Sequence, residues 1–303
     1  MKRDLVSIFS LSRDEIDHLM ERTAFLKAKQ KEGVWHTPLK GKTLGMIFEK
    51  ASTRTRISFE VGMYQLGGYA LFLDYKDMQL SRGERVSDTA RVLSRYLEGI
   101  MARTFSHESI EELARYATIP VINGLSDLLH PCQILSDIFT IMEKKGVYRG
   151  LKVAYVGDGN NVAHSWINCA ARLEFRLFLA CPEGYGPDSS LLERARSVSR
   201  EGIQLVHDPY DAVAEADVIY TDVWASMGKE DERADRLRDL RDYQVNSRLV
   251  KAAKKGVWVM HCLPAHRGEE ITDEVMDGSH SIVWDQAENR LHVQKAILEW
   301  LMG

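Results

Sequence analysis

Short apolar runs alternate with helical patterns along the chain, in two blocks that meet near residues 143–146. Apolar runs bounded by polar residues, glycine or proline predict buried strands. Such runs lie at residues 43–48, 100–102, 120–123, 153–156, 177–179, 203–206, 218–220 and 257–260. Strands that alternate with helices favour a parallel, doubly wound sheet. The pattern therefore predicts an α/β fold with two doubly wound, parallel-sheet domains.

The first domain is expected over residues 1–143 and the second over residues 147–286. After the 43–48 strand, Ile57, Val61 and Tyr64 form an apolar stripe at helical spacing. Apolar residues also recur at helical spacing in the last segment, 287–303. We expect this C-terminal helix to return to the first domain and pack against it.

Composition places the chain among ordinary globular proteins. Its 303 residues suit two domains, and 45% of them are hydrophobic and 28% charged. The net charge of −4 excludes the global positive field that would hold nucleic acid or an anionic membrane, and no run of apolar residues is long enough to predict a membrane span. The cysteines form no C-x-x-C pair, which argues against structural zinc and favours a cytoplasmic setting.

The segment 48–56 carries the sharpest local signal for chemistry. It lies between a predicted strand and a predicted helix, and it contains three hydroxyl groups and the guanidiniums of Arg54 and Arg56. A helix start offers free N–H groups and a partial positive charge, and phosphate is the ligand that these donors favour. The plainer alternative is that Ser52 only caps the helix and the arginines face solvent. The glycine-rich P-loop pattern is absent from the sequence, so a nucleotide site of that kind is not predicted.

Polar residues also follow other predicted strands of the first block. Arg103 follows the 100–102 strand, and His130 precedes a helix that Pro131 is expected to begin. Ligands of doubly wound sheets bind beyond the carboxyl ends of the strands, so Arg103, His130 and Gln133 are expected in one crevice. An arginine and a histidine there are suited to polarise a carbonyl group. The alternative is an ordinary loop histidine beside a proline-initiated helix.

In the second block, the glycine-containing segment 157–162 follows a predicted strand and suggests a dinucleotide site, with Glu183 as a ribose contact. The third glycine of that fingerprint is replaced by Val162, so the pattern is incomplete. Asn160 and Asn161 are suited to bind a carboxylate instead. Both interpretations stay open on these residues alone.

The last two predicted strands are also followed by reactive side chains. Asp222 is suited to hold an amine, and Gly228 to hinge a lid formed by the charged run 229–242, for which solvated surface is the plainer alternative. Cys262 needs a depressed pKa to act as a nucleophile, and the alternative is a buried structural thiol. Histidines near Cys262 match no common zinc spacing.

With these motifs in place, the chain resembles the aspartate/ornithine carbamoyltransferase family over nearly its whole length. Residues 52–56, S-T-R-T-R, and 130–133, H-P-C-Q, match the family's carbamoyl-phosphate and carbamoyl motifs. Asp222 with residues 226–228, S-M-G, and residues 261–264, H-C-L-P, match the motifs that separate ornithine-specific members from aspartate and acetylornithine relatives. The resemblance implies transfer of the carbamoyl group of carbamoyl phosphate to the δ-amine of L-ornithine, giving L-citrulline and phosphate in a step of arginine biosynthesis, without metal or cofactor.

The resemblance also implies a role for each matching residue. The residues implied in binding carbamoyl phosphate are Ser52, Thr53, Arg54, Thr55, Gln79, Arg103, His130, Pro131, Cys132, Gln133, Cys262, Leu263 and Arg290, and those implied in binding L-ornithine are Asn161, Asp222, Ser226 and Met227. The residues implied in catalysis are Arg103, His130, Asp222, Cys262 and Arg290.

Members of this family form trimers or multiples of trimers with active sites at subunit boundaries. The resemblance therefore implies a homotrimer in which Gln79 reaches the neighbouring subunit's site. Two other functions stay open on the residues alone. One is an NAD-linked dehydrogenase built on the 157–162 loop, and the other is a phosphate- or amino-acid-binding sensor that uses Arg54 without turnover.

Overall fold

The computed structural model describes residues 2–225 and 230–303 of the chain and divides into two compact units. Unit 1 comprises Met1–Phe139 and Glu288–Gly303, and unit 2 comprises Thr140–Ala287. Each unit contains one parallel sheet, so the predicted fold class of two parallel-sheet α/β domains is confirmed. Among the helices within the described ranges, none is both long enough and apolar enough to cross a membrane.

Unit 1 is built on four strands: β1 (Thr43–Phe48), β2 (Tyr69–Asp74), β3 (Gly99–Arg103) and β4 (Val121–Leu125). They pair in the order β2-β1-β3-β4, all parallel. The order reverses between β1 and β3, and the crevice beyond the carboxyl ends of such strands is where this topology binds ligands. The helices are α1 (Arg13–Lys31), α2 (Thr53–Gln65), α3 (Val86–Leu93), α4 (His107–Tyr116) and α5 (Pro131–Lys145), with 3-10 helices at Ile8–Ser10, Tyr75–Asp77 and Gln79–Arg82.

The strands of unit 1 differ in how far they are covered. β1, β3 and β4 are buried along nearly their whole length, as expected for strands with helices on both faces of the sheet. The edge of β4 is covered by Leu5, which bridges to Ile122. The other edge strand, β2, is largely exposed, and the apolar pattern did not predict it.

Helix α2 does not bury the stripe that predicted it. Phe59 and Met63 are on its buried face, whereas Ile57 and Tyr64 are exposed. The stripe therefore indicates the helix but not the face that packs on the core. Unit 1 consequently has an apolar surface on α2 and β2.

Unit 2 is built on five strands: β5 (Lys152–Val156), β6 (Arg176–Ala180), β7 (Ile203–Val206), β8 (Val218–Thr221) and β9 (Trp258–His261). They pair in the order β7-β6-β5-β8-β9, all parallel, and the order reverses between β5 and β8. Its helices are α6 (Asn161–Ala170), α7 (Ser189–Arg196), α8 (Pro209–Val213), α9 (Arg233–Asp239), α10 (Ser247–Lys251), α11 (Asp273–Met276) and the start of α12 (Val283–Met302), with 3-10 helices at Glu230–Glu232 and Arg241–Tyr243.

The unit boundaries fall inside helices α5 and α12. The larger part of α12 belongs to unit 1, where the Glu299 carboxylate accepts hydrogen bonds from Arg22 Nε at 2.5 Å and Nη2 at 2.9 Å. A Cβ at Gly99 would lie 2.8 Å from the Met302 sulfur, so the Met302 side chain packs directly against the start of β3. The C-terminal helix thus completes the unit that contains the first residues of the chain.

Lys295 of α12 is buried without a carboxylate partner in its hydrogen bonds. Its Nζ donates to Gln30 Oε1 at 2.5 Å and to Gln65 Oε1 at 2.9 Å, and both acceptors are neutral. Burial lowers the pKa of Lys295 to about 8. Below that pH the folded protein must keep a poorly solvated positive charge, which is unfavourable.

We therefore expect Lys295→Met to raise the melting temperature by a few degrees at pH 7, corresponding to about 1–2 kcal/mol. Between pH 8 and about 10.4 the unfolded lysine holds its proton while the folded one loses it, so the wild type gains stability with rising pH. The advantage of the variant should shrink over the same range. Thermal melts at pH 7 and pH 10 measure both effects, and a lower melting temperature for the variant at pH 7 would contradict this account.

Candidate active site

The phosphate motif lies at the start of helix α2, directly after β1. The Ser52 hydroxyl accepts a hydrogen bond from the Thr55 amide at 3.3 Å, so Ser52 is the N-cap residue. Thr53, Arg54 and Thr55 form the first turn, where backbone N–H groups have no acceptor within the helix. Arg56 is directed elsewhere, because it pairs with Glu60 at 2.9 Å. The capping interpretation is thus correct for Ser52 and compatible with an anion site.

Three buried side chains of unit 1 form a cluster that we call the cationic cluster: Arg103, His130 and Arg290. Arg103 ends β3, His130 precedes α5, and Arg290 lies on α12. Arg290 Nη2 donates to the Thr55 hydroxyl at 2.7 Å, which links the cluster to the phosphate motif. Burial, followed by the charges of Arg290 and Arg103, holds the pKa of His130 well below its usual range. His130 is therefore a neutral imidazole between two positive charges at pH 7.

Cys132 and Gln133, which follow His130, differ in their surroundings. The Cys132 thiol is fully buried and donates to the Asn123 carbonyl at 3.3 Å, and burial raises its pKa to about 12. It is thus a structural side chain rather than a nucleophile. Gln133 Nε2 donates to Asp137 at 2.9 Å, while its buried Oε1 has no hydrogen-bond partner in the described part of the chain. An unpaired buried carbonyl indicates a place for a ligand N–H donor.

Because His130 is buried and neutral, we expect the protein to lose stability in acid. Below about pH 6.5, His130 binds a proton in the unfolded state but not in the folded state. The free energy of unfolding therefore falls by up to about 1.4 kcal/mol for each pH unit. His292, whose pKa burial lowers to about 4, acts in the same direction. Urea unfolding at pH 7 and pH 5 should show a smaller loss for His130→Gln than for the wild type. Equal losses in the two proteins would show that His130 does not contribute.

In unit 2, Asp222 lies directly after β8 and is buried with defined partners. Its Oδ2 accepts from Asn160 Nδ2 at 2.8 Å, and its Oδ1 accepts from Cys262 Sγ at 2.9 Å and from the Val223 amide at 2.8 Å. We call Asn160, Asp222 and Cys262 the Asp222 cluster. These residues follow β5, β8 and β9, so the carboxyl ends of three neighbouring strands supply it.

Asn160 supports Asp222 and also caps a helix. Its Oδ1 accepts from the amides of Val162 and Ala163 at the start of α6, and the Tyr155 hydroxyl donates to the same oxygen at 3.2 Å. The side chain is thus fixed with its Nδ2 directed to the carboxylate. The adjacent Asn161, which the resemblance implies in ornithine binding, is half-buried at the first position of α6.

The charged run after Asp222 contains one buried arginine that the pattern did not distinguish. Arg236 is the one buried residue of helix α9, and its Nη1 donates to the Trp224 carbonyl and pairs with Asp158, both at 2.9 Å. Its Nε pairs with Glu232 at 2.9 Å. Arg236 therefore ties the residues that flank 226–229 to the loop after β5.

The glycines of the 157–162 segment serve packing rather than a dinucleotide. A Cβ at Gly159 would lie less than 3.0 Å from backbone atoms of Gly186 and Pro187, so that face is already covered by protein. Gly157 has a φ of 133° and faces the Trp224 indole. The close approach that a pyrophosphate needs is taken by the chain itself, which does not favour the dehydrogenase interpretation.

Within residues 2–225 and 230–303, two groups of side chains have the composition of a metal site. Ligand atoms of Asp222, His261 and Cys262 lie within 4.8 Å of one another, as do those of His266, Glu269 and Glu270. In the first group, however, His261 Nδ1 already accepts from the Leu263 amide at 2.9 Å, so its lone pair is engaged. The first group therefore does not offer three open ligands.

Several predicted residues lie outside these clusters. Gln79 is exposed at the start of a 3-10 helix, and no contact in the described structure joins it to the cationic cluster. Ser226, Met227 and Gly228 lie outside the described residues. Leu263 follows Cys262 with a φ of 59°. The contacts of Asn160 with Asp222 and of Arg236 with Asp158 join residues far apart in sequence and leave no local pattern.

The fold and the two clusters define a two-domain α/β enzyme, with a buried cationic cluster beside a helix start in unit 1 and a buried carboxylate with amide and thiol partners in unit 2. Residues 3–143 match the family model described as aspartate/ornithine carbamoyltransferase, carbamoyl-P binding domain. Residues 149–301 match the model described as aspartate/ornithine carbamoyltransferase, Asp/Orn binding domain. The chain belongs to the aspartate/ornithine carbamoyltransferase family.

Relatives within the family match over the full length of the chain. A protein of Syntrophus aciditrophicus named ornithine carbamoyltransferase is 65% identical over 302 residues, which cover 100% of both chains. The anabolic ornithine carbamoyltransferase of Pyrococcus furiosus is 56% identical and covers 99% of this chain and 96% of its own. The solved structure of ornithine carbamoyltransferase from Pyrococcus furiosus has a TM-score of 0.96 at 56% identity, over 99% of this chain and 97% of that chain.

Proposed function

We propose that this protein is an ornithine carbamoyltransferase, which transfers the carbamoyl group of carbamoyl phosphate to the δ-amine of L-ornithine and releases L-citrulline and phosphate. The observation that carries this assignment is the 65% identity, over the whole of both chains, with a protein of that name. The relative named anabolic supports the direction of citrulline synthesis, as a step in making arginine. Unit 1 provides the site for carbamoyl phosphate and unit 2 the site for ornithine.

The cationic cluster supports the electrophilic half of this reaction. The helix start at Ser52, Thr53, Arg54 and Thr55 binds the phosphate group. Thr55, Arg103 and the neutral ring of His130 donate to the carbonyl oxygen, with Arg290 beside them. Negative charge develops on that oxygen when the amine attacks, and buried donors stabilise it more strongly than water does. The unpaired Gln133 Oε1 accepts from the carbamoyl NH₂ group, as does the Leu263 carbonyl.

The Asp222 cluster supports the nucleophilic half. An alkyl ammonium has a pKa near 10.4, so the δ-amine must lose a proton before it attacks. The Cys262 thiol donates to Asp222 at 2.9 Å, so this pair can take up that proton as the thiol passes its own to the carboxylate. The δ-nitrogen then bonds to the carbonyl carbon, and the carbon–oxygen bond to phosphate breaks with its electrons on the leaving phosphate. That phosphate takes up the second proton that the nitrogen loses, which leaves the N–H of citrulline. Asn161, Asp222, Ser226 and Met227 hold the amino-acid end of ornithine.

The test is citrulline formation from carbamoyl phosphate, with L-ornithine, L-aspartate, putrescine and N-acetylornithine as alternative acceptors. Turnover with ornithine alone is the expected result. Turnover with another acceptor would keep the roles of the cationic cluster and overturn those of Asp222 and residues 226–227. Folded protein that binds inorganic phosphate but turns over none of the acceptors would indicate the sensor instead.

We also propose a homotrimer in which Gln79 completes the site of a neighbouring subunit. Its support, beyond the resemblance, is the exposed apolar surface on α2 and β2, formed by Ile57, Tyr64, Tyr69, Leu71 and Phe72. Surfaces of this kind mark protein interfaces. Arg103→Ala and Gln79→Ala chains, each inactive alone, should regain part of the activity when unfolded and refolded together. A mixture without recovered activity would contradict shared sites.

A cytoplasmic location completes the proposal. The four cysteines, Cys132, Cys169, Cys181 and Cys262, are buried, and no disulfide joins them within the described residues. This is the usual state of thiols in a reducing compartment. Cell fractionation with an activity assay tests the location, and activity confined to an extracytoplasmic fraction would overturn it.

A further inference from the structure

A chain of buried side chains lies behind the segment that follows β9. The carboxyl group of Glu270 is 3.0 Å from His261 Nε2, and both side chains are fully buried. On the other edge of the same ring, His261 Nδ1 accepts from the Leu263 amide at 2.9 Å. One carboxyl group is thus connected through one imidazole to the backbone beside Cys262.

The hydrogen bonds define the protonation state of the His261 ring. A nitrogen that accepts from a backbone amide carries no proton, so Nδ1 is bare. The ring proton is therefore on Nε2, which donates it to Glu270 Oε1. The Leu263 amide and the Glu270 carboxyl group thus favour the same tautomer. Glu270 stabilises the form of the ring that presents a lone pair to Leu263 and also holds the ring in place.

Glu270 holds the same segment at a second point. Its Oε1 also accepts from the His266 amide at 2.6 Å, and its own carbonyl accepts from the Val245 amide at 2.8 Å. The residue is therefore anchored by its backbone while its side chain fixes both ends of residues 263–266. Leu263 lies in this stretch with a φ of 59°, a conformation that is unfavourable for a branched side chain and needs support from its surroundings.

We propose that Glu270 is a positioning residue for the reaction. Acting through His261 and the His266 amide, it fixes the backbone that carries the Leu263 carbonyl and the Cys262 thiol. The inference rests on the proposed function, in which these two groups contact the substrates. Glu270 itself is fully buried, and its hydrogen bonds within the described residues go to His261, His266 and Val245 rather than to the Asp222 cluster. Ligand orientation by such supporting hydrogen bonds typically changes activity by about 10–100-fold.

The first experiment compares Glu270→Leu with Glu270→Gln and, as a matched control, Glu269→Leu. The amide oxygen of the glutamine variant can accept both hydrogen bonds, and its NH₂ replaces Oε2, which has no partner among the described residues. We expect kcat per folded enzyme to fall by about 10–100-fold in Glu270→Leu and by less than about threefold in the other two. A Glu270→Leu enzyme with the kcat of Glu269→Leu, or a Glu270→Gln enzyme as damaged as Glu270→Leu, would overturn the proposal.

A second readout does not depend on turnover. Cys262 is slightly exposed, whereas the other three cysteines are fully buried, so 5,5′-dithiobis(2-nitrobenzoate) should react first at Cys262. Cys262→Ser identifies that phase. Labelling at least about tenfold faster in Glu270→Leu than in Glu270→Gln is expected, because local opening exposes the thiol. Equal labelling rates would overturn the proposal. A wild type that forms no citrulline would count against the proposed function alone, since labelling still reports on the segment.

If Glu270→Leu does not fold, the wild-type protein still tests the inference. Nitrogen-15 NMR of histidine rings distinguishes the two neutral tautomers. We expect the His261 ring to hold its proton on Nε2 at pH 7, with a bare Nδ1. A ring protonated on Nδ1 cannot accept from the Leu263 amide, and that result would overturn the proposal.

Discussion

Replacing Arg103 by glutamine is expected to lower kcat/KM for carbamoyl phosphate by at least about a thousandfold. Arg103 is only 5% exposed, and its charge acts on His130 strongly enough to help lower the pKa of that ring. A glutamine can still donate a hydrogen bond, but it has no charge to oppose the one that develops on the carbonyl oxygen. The interaction between two charges is stronger in a buried site than at the surface, so the loss of the Arg103 charge has a larger effect on the rate. Steady-state kinetics with varied carbamoyl phosphate measures the effect.

The matched control is Arg115→Gln, which changes an exposed arginine in the last turn of α4. We expect its kcat/KM to stay within about twofold of the wild type, as is usual for surface substitutions. In Arg103→Gln, the pKa of His130 should also rise, because one of the two positive charges beside it is gone. A loss of less than tenfold in kcat/KM, with the pKa of His130 unchanged, would contradict the cationic cluster.

Asp222→Asn is expected to raise the KM for ornithine by at least about a hundredfold and to lower kcat as well. The Asp222 carboxylate accepts on both oxygens, from Asn160 on one side and from Cys262 and Val223 on the other. An asparagine turns one acceptor into an NH₂ donor, so one of these donors loses its partner in a buried place. It also removes the negative charge proposed to hold the amine. Kinetics with varied ornithine at saturating carbamoyl phosphate provides the measurement.

Binding of inorganic phosphate separates this effect from general damage. Unit 1 contains the phosphate motif, so the Kd of Asp222→Asn for phosphate should match that of the wild type. Asp242→Asn, on an exposed residue of the same unit as Asp222, is the control for loss of a surface carboxylate. Should Asp222→Asn keep its KM for ornithine within threefold of the wild type, the amine site must be sought elsewhere.

The arrangement of strands could be predicted because each is a short apolar run that ends in a polar residue. All eight predicted strands are present within two residues at either end. Their carboxyl ends place Arg103, Asp222 and Cys262 where a doubly wound sheet collects its site residues. The missed strand β2 lies at a sheet edge, where much of its surface is exposed and its apolar residues do not mark a core. The stripe of α2 faces the same exposed surface.

The supporting contacts could not be predicted from local patterns. Asn160 and Asp222 are 62 positions apart, and Glu270 reaches His261 across a loop of irregular backbone. A buried Arg236 within a run of exposed charges has the same sequence signature as its solvated neighbours. The role of each of these residues depends on the folded surroundings of a single side chain. A periodic pattern is defined by many side chains together, so it does not identify one residue of this kind. The sequence therefore predicts which polar residues lie at the strand ends, whereas it does not predict the hydrogen bonds that orient them.

The division of unit 1 into two stretches of sequence has a consequence for how the protein is made. Synthesis proceeds from the amino terminus, so residues 288–303 leave the ribosome after the whole of unit 2. Unit 2 is continuous in sequence and can complete its core first, whereas unit 1 lacks Arg290 and the Glu299 contact until residues 288–303 have been synthesised. A nascent chain stalled at residue 287 thus has a finished unit 2 and an unfinished unit 1, so the defect falls on the cationic cluster above all.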